Sequence, residues 1–255
     1  RGLICLALTK KQIKKLKLPL MSQINKSRMQ TAFTISIEAK KGISTGISAF
    51  DRAKTIKVAI NPKTKKKDIV SPGHVFPLVS RNGGVLERAG HTEGSIDISK
   101  LSKLNPSSVI CEVMNEDGRM ARLKDLEKFS KKHNIKIASI ADLIAYRLKN
   151  EKLIFKTSSK LINLKKIPKI HLSTYRNNLN KYESFVISKG KFKKNKSTPI
   201  RVLSKKIRKM NIYKNKEILK NIKLLSKYKN FILVIINNEM NKNKKDETDP
   251  TLRYY

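Results

Sequence analysis

The stretch SSVICEVMNEDGRMARLKDLEKFSKKHNIKIASIADLIAYRLK, residues 107–149, switches repeatedly between two hydrophobic periods and thereby decides the fold class. SSVICEVM reads as an apolar strand. Met120, Leu123, Leu126 and Phe129 then recur at three-residue spacing, an amphipathic helix that Asn134 ends. IKIASI (135–140) reads as a return to strand. Ser139 with Asp142 makes a capping-box-like start for the helix ADLIAYRLK. Such alternation over short connections predicts a mixed α/β domain.

The same grammar continues toward the N-terminus. LICLAL reads as a strand and TKKQIKKLKL as a helix capped by Thr9. TAFTISIEA and TIKVAI (55–60) read as strands, the second ending at Asn61-Pro62. TEGSIDISKLSKL predicts a helix with Ile96, Leu101 and Leu104 on one face. Beyond Asn150 the punctuation fades. EKLIFKTSSKLINLKKIPKI reads as a linker entering a strand, and KYESFVISKGKF as a hairpin arm. NKEILKNIKLLSKYKN is an amphipathic helix through Ile218, Ile222 and Leu225, followed by the strand FILVII (231–236). From NNEMNKNKKDETDP the chain turns polar, then stops at TLRYY. These signals predict a second, smaller α/β unit cut off before its end, and Arg1 in place of an initiator Met predicts a missing front. No internal repeat is present.

The net charge of +39 invites a nucleic-acid reading, since clustered Lys and Arg neutralise phosphates. The excess is spread over both halves, however, and 46 of the 58 basic residues are Lys. There is no Trp and no aromatic platform for bases. Lysine, asparagine and isoleucine spread over solvated surfaces fit compositional drift better than nucleic-acid binding. LICLAL is too short for a signal peptide, and FILVII cannot span a bilayer, so cytoplasm is the default and no membrane partner is expected. Cys5 and Cys111 lie in apolar segments, which predicts buried reduced thiols.

Four places have the residue types that chemistry needs. His74, in SPGHVFPL, follows a Pro72-Gly73 turn and reads either as a satisfied structural residue or as a deliberately placed functional one. In ERAGHTEG, Gly90 permits close backbone approach and Thr92 suits a helix N-cap. With Arg88, that helix start offers a phosphate site, and His91 stands where a metal near the phosphate would be reached. The bland alternative is a capped turn. Glu112 reads either as a tuned general base or as an edge glutamate facing water. STGISAFDR (44–52) reads as a loop holding a phosphate or sugar hydroxyls, or as a helix start with a structural Asp51-Arg52 pair.

Taken together, RGLICLALT, STGISAFDRAKTI, SPGHVFPLVSRNGGVLERAGHTEGSIDISKL and VICEVMNEDGRMARLKDLEKFSKKHNIKIASIADLIAYR resemble the 3,4-dihydroxy-2-butanone 4-phosphate synthases of riboflavin biosynthesis. The resemblance covers residues 1–148 and implies that family's α/β mixed-sheet fold. It implies a lyase that converts D-ribulose 5-phosphate to the four-carbon phosphate and formate, with Mg²⁺ or Mn²⁺. By the same resemblance His74 and Glu112 are the catalytic pair, with Glu112 also touching substrate. The run Arg88, Ala89, Gly90, His91 and Thr92 binds substrate, and His91 is a metal ligand. A homodimer with shared sites is implied. The family's acidic loop, which carries the other metal ligand, precedes the segment matching RGLICLALT. Residues 149–170 are expected as a linker, and residues 171–255 resemble a degenerate GTP cyclohydrolase II domain. That enzyme holds zinc with three cysteines, and residues 112–255 contain none, so no zinc and no such activity are expected. Two rivals stand beside this reading: a non-catalytic relative kept for interaction, and a basic nucleic-acid-associated protein.

Overall fold

The computed structural model describes residues 2–26, 30–164, 167–179, 182–193, 195–207, 212 and 214–237. The chain forms two compact units that divide between Asn150 and Glu151. The first unit runs β1 (Cys5–Thr9), α1 (Lys10–Leu16), β2 (Ile37–Ala39), α2 (Ala49–Ile60), β3 (Ile69–Ser80), α3 (His91–Leu101), β4 (Ser107–Ile110), α4 (Leu123–His133) and α5 (Ile140–Asn150). Its sheet has the order β2-β3-β1-β4. β1 lies parallel to β3 and antiparallel to β4, and β2 is antiparallel to β3. This is the mixed-sheet α/β class that the alternation predicts.

β1 is buried on both faces, as a central strand covered by helices must be. Leu6 and Leu8 pack with Ile13 and Leu16 of α1, Ala59 of α2, Ile37 and Val75. Helix α3 packs against β1, β3 and β4, with Ile96 fully buried. Local chemistry fixes the helix starts. The Thr9 hydroxyl accepts the Gln12 N–H at 3.3 Å, and the Ser139 hydroxyl accepts the Asp142 N–H at 3.0 Å.

Several expectations are corrected. TIKVAI is the C-terminal half of α2, not a strand. The Ser48 hydroxyl accepts the Asp51 N–H at 3.0 Å and starts a helix six residues upstream, which turns Thr55 and Ala59 inward together. A capped helix start outweighs the β-propensity of Thr, Ile and Val. IKIASI forms no strand and connects α4 to α5. TAFTISIEA contributes only β2 and isolated bridges at Phe33 and Thr34. Strand β4 stops at Ile110, so Cys111 is exposed instead of buried. Cys5 is buried, and burial first, then the nearby Glu112 and Cys111, pushes its thiol up to about 11. Leu101 at the end of α3 and Leu104 beyond it are exposed, while Thr92, Glu93, Asp97 and Ser99 of α3 are buried beside Ile96. Apolar periodicity misses that stripe because its buried face is largely polar and hydrogen-bonded.

The second unit comprises β5 (Ile154–Leu164), β6 (Ile167–Asn177), β7 (Glu183–Lys189), β8 (Ile200–Ser204), α6 (Lys216–Leu225) and β9 (Phe231–Ile236). Its sheet has the order β5-β6-β7-β9-β8, with only β8 and β9 parallel. Ile170, Leu172, Phe185, Ile187, Phe231, Leu233 and Ile235 pack on Ile218, Ile222 and Leu225 of α6. Of the expected linker 149–170, residues 154–164 are the edge strand β5, and β6 begins at Ile167. Lysines on an exposed edge hide the strand signal, because only one side of that strand has a neighbour. Residues 238–255, which hold almost all of NNEMNKNKKDETDP and TLRYY, lie outside the described residues. Among the described residues no helix is long and apolar enough to cross a membrane.

Candidate active site

The candidate residues gather around His74, midway along β3, and around the loop that follows the end of β3 at Ser80. His74 lies inside this strand, and so do Pro72 and Gly73, where a turn was expected. β1 carries Cys5 opposite Phe76 on one side and opposite Ile110 on the other. The Phe76 N–H donates to the Ile4 carbonyl at 3.2 Å. Extending both registers two residues brings His74 and Glu112 to either side of Leu3. Two strand spacings separate them, about 10 Å. Glu112 is exposed beyond the end of β4, open to solvent and to anything bound there.

Sequence reading passed over Glu38. Its carboxylate meets Nδ1 of His74, and the two side chains are 15% and 42% exposed, respectively. The loop that precedes α2 lies at the same end. Asp51 accepts the Ser44 hydroxyl at 2.8 Å, the Ser44 N–H at 3.2 Å and the Gly46 N–H at 3.0 Å. The Ser44 hydroxyl is the main reason that this carboxyl titrates below its ordinary value. Beside it, the Nε of Arg52 is buried and makes no hydrogen bond.

A depressed carboxyl stabilises the fold above its unfolded value of roughly 3.9 and loses that contribution as pH falls through the lower folded value. Amide exchange at Ser44 and Gly46, corrected for intrinsic rates, should therefore stay flat from pH 7 to about 4.5 and rise on further acidification. Asp51→Asn should raise it already at neutral pH. Equal protection in the two proteins at pH 7 would show that the carboxylate does not hold the loop.

At the other end of β3, Glu93 is 1% exposed and accepts Nη1 of Arg88 at 2.5 Å and the Arg81 N–H at 3.0 Å. The Nη2 of Arg88 donates to the Thr31 hydroxyl at 3.1 Å. The N-cap of α3 is Gly90, which has no capping side chain; Thr92, expected there, is buried in the first turn. Ala89 is half-buried and His91 exposed, so the loop presents His91 to solvent, while Thr92, Glu93 and Gly94 of the first turn of α3 are buried. Asp97, one turn on, accepts Nη1 of Arg147 at 2.7 Å and the Val85 N–H at 2.8 Å.

Among the described residues no three His, Cys, Asp or Glu side chains converge as a metal cage. Glu93 and Asp97 are engaged by Arg88 and Arg147, which leaves His91 as a single exposed nitrogen donor. Such a donor fits one position on a divalent cation and no more. Nor does one chain unite the two ends. Six residues of strand separate His74 from Ser80, about 20 Å.

Comparison with known proteins gives this arrangement a family. The 3,4-dihydroxy-2-butanone 4-phosphate synthase family matches residues 1–146. The chain is 47% identical over 202 residues to the 3,4-dihydroxy-2-butanone 4-phosphate synthase of Photobacterium phosphoreum, covering 79% of this chain and 55% of that protein. It is 50% identical over 207 residues to the riboflavin biosynthesis protein RibBA of Aquifex aeolicus, covering 80% of this chain and 50% of that one. The chain thus spans about half the length of these curated relatives. Among solved structures, RibBX of A. baumannii, a two-domain 3,4-dihydroxy-2-butanone 4-phosphate synthase, superposes with TM-score 0.73 at 36% identity, covering 100% of this chain and 71% of that one. A 3,4-dihydroxy-2-butanone 4-phosphate synthase solved with two magnesium ions superposes with TM-score 0.55 at 35% identity, covering 58% of this chain and 74% of that one. The family match covers more than half of the chain's residues, and the chain belongs to the 3,4-dihydroxy-2-butanone 4-phosphate synthase family.

Proposed function

We propose that the protein carrying this chain converts D-ribulose 5-phosphate to 3,4-dihydroxy-2-butanone 4-phosphate and formate, a lyase step of riboflavin biosynthesis. The observation that supports it most directly is the placement of His74 and Glu112 on either side of β1. A separation of about 10 Å on one face of the sheet lets a small sugar phosphate reach both an imidazole and a carboxylate. One group takes a proton from a carbon next to the carbonyl while the other serves the departing hydroxyl or the returning proton. The backbone N–H groups at the start of α3, with Arg88 and Thr92, suit the substrate phosphate. Arg88, already held by Glu93 and Thr31, is fixed in orientation before any ligand arrives. The buried Nε of Arg52 is a further donor for an anion or hydroxyl at the His74 end. A divalent cation, Mg²⁺ or Mn²⁺, with His91 among its ligands, would neutralise the oxyanion as it forms.

The distance of about 20 Å between His74 and the Ser80 end of β3 supports a homodimer in which the loop from Arg88 to Thr92 of one copy faces His74 and Glu112 of the other. The substrate is a small molecule in the cytoplasm; neither nucleic acid nor membrane is a partner. The second unit is a degenerate relative of GTP cyclohydrolase II without zinc, since residues 112–255 contain no cysteine to hold it.

The test is direct. The product of the complete reading frame, supplied with Mg²⁺, should release formate from ribulose 5-phosphate in step with the four-carbon phosphate, and a chelator should stop it. Substrate that stays unconsumed at micromolar enzyme and millimolar Mg²⁺ would refute the reading and favour a non-catalytic relative.

A further inference from the structure

The two edges of the second unit's sheet are built differently. One edge is β5, which carries Lys156 and Lys160 along its length. The other is β8, whose residues Ile200–Ser204 read IRVLS and include no lysine. Lysines along an edge strand keep other strands from adding to it. β5 has that protection and β8 lacks it.

Register determines what β8 leaves open. It runs parallel to β9, with Ile200 opposite Ile232 and Val202 opposite Val234. The Pro199 carbonyl accepts the Ile232 N–H at 3.0 Å, and the Lys205 N–H donates to the Ile236 carbonyl at 2.9 Å. Backbone groups alternate in direction along a strand, so Arg201 and Leu203 also turn theirs toward β9. Ile200 and Val202 turn theirs to the outer edge. Side chains alternate as well. Leu203 packs toward the core beneath α6, whereas Ile200 and Val202 lie on the opposite face, 61% and 56% exposed. That face continues over Ile232, Val234 and Ile236 of β9 and Val186 of β7. Among the described residues of this unit no helix covers it, since α6 packs on the other side.

Charge decides what would fit there. Between Glu183 and Glu217 the chain has 12 basic residues and no acidic one, so this edge lacks its own counter-charge. Lys191, Lys193 and Lys196 precede β8, Lys205 and Lys206 follow it, and Arg201 lies within it on the α6 side. Glu217 is engaged by Lys205. A second copy would bring the same positive charge to the same edge, and like charges across an interface disfavour the pairing.

We propose that β8 is a docking edge for an extended segment of another protein, apolar at alternate positions and acidic at the positions between. The segment adds as a further strand and hydrogen-bonds the outward backbone groups of Ile200 and Val202. Its apolar side chains prolong the uncovered face beside those two residues. Its carboxylates fall on the other face, beside Arg201 and the flanking lysines. Such docking is independent of the lyase reaction.

The product of the complete reading frame is titrated into a fluorescent peptide of alternating valine and glutamate. Anisotropy should show saturable binding, weakened about tenfold or more by Val202→Pro, which removes one outward N–H, and by Val202→Lys. Neither change touches a bond to β9, and an unchanged urea midpoint checks that the variants fold. In the wild type, bound peptide should slow amide exchange at Ile200 and Val202 and leave β5 unaffected. No saturable binding, full binding by the variants, or protection elsewhere overturns the proposal. So does equal binding of a valine–lysine peptide, which removes the charge argument. Displacement of the peptide by oligo(dT) or by phosphatidylserine vesicles would make the edge a general anion surface and also overturns it. Self-association in sedimentation that Val202→Lys abolishes would assign the edge to a second copy instead, and slow exchange there before any peptide is added would assign it to the chain itself.

Discussion

His74→Ala and Glu112→Gln, each made in the product of the complete reading frame, should cut turnover about a hundredfold or more while substrate still binds. The expectation follows from their placement. Neither residue belongs to the buried clusters that hold the first unit together: His74 is half-exposed and Glu112 is exposed. Removing either should therefore spare the fold, and the loss should fall on the transition state. On the proposed reading the substrate phosphate is held by other residues, Arg88 to Thr92, so substrate affinity should survive, within about threefold by isothermal titration. Single-turnover formate release separates the steps. Near-normal turnover in Glu112→Gln would make it the solvent-facing glutamate that its exposure alone suggests. Near-normal turnover in His74→Ala would dismiss the catalytic pair altogether.

Arg147→Met should destabilise the first unit by about 3–5 kcal/mol, the usual cost of leaving one member of a buried ion pair uncompensated. Arg147 and Asp97 are 11% and 3% exposed, with Nη1 to Oδ2 at 2.7 Å. The same nitrogen donates to the Gly83 carbonyl at 2.8 Å, and Asp97 accepts the Val85 N–H. The pair thus clamps helix α5 and helix α3 onto the turn that enters the Arg88 loop. Urea unfolding followed by circular dichroism should show a lower midpoint with little change in slope. The double variant Asp97→Asn, Arg147→Met should recover part of the loss, since no bare carboxylate remains buried. A single variant within 1 kcal/mol of wild type would mean that water reaches Asp97 in place of Arg147.

The sequence by itself determined the class of the fold and most of its pieces. Thr9, Ser139 and Asn134 mark helix ends through bonds that need only a few neighbouring residues, so they were readable locally. The apolar run of β1 was legible because a strand covered on both faces has almost no polar positions to confuse it, and β9 was legible because it is apolar throughout, although only Phe231, Leu233 and Ile235 are buried. The motifs around His74 and Arg88 to Thr92 were visible for a related reason. Glycine and proline stand out in a chain rich in lysine and asparagine. Tertiary structure decided the rest. TIKVAI became a helix because Ser48 had already started one, and IKIASI stayed out of the sheet although its residues suit a strand. β5 hid behind lysines because an edge strand needs apolar residues only where it meets its neighbours. Glu38 lay beyond sequence reading for the strongest reason: it is 36 residues from His74, and only an irregular register and two glycines from other segments bring the carboxylate to the imidazole. Local bonds and hydrophobic periods are written in consecutive residues. Which side chains meet across a sheet is set by register, and register exists only once the strands have paired.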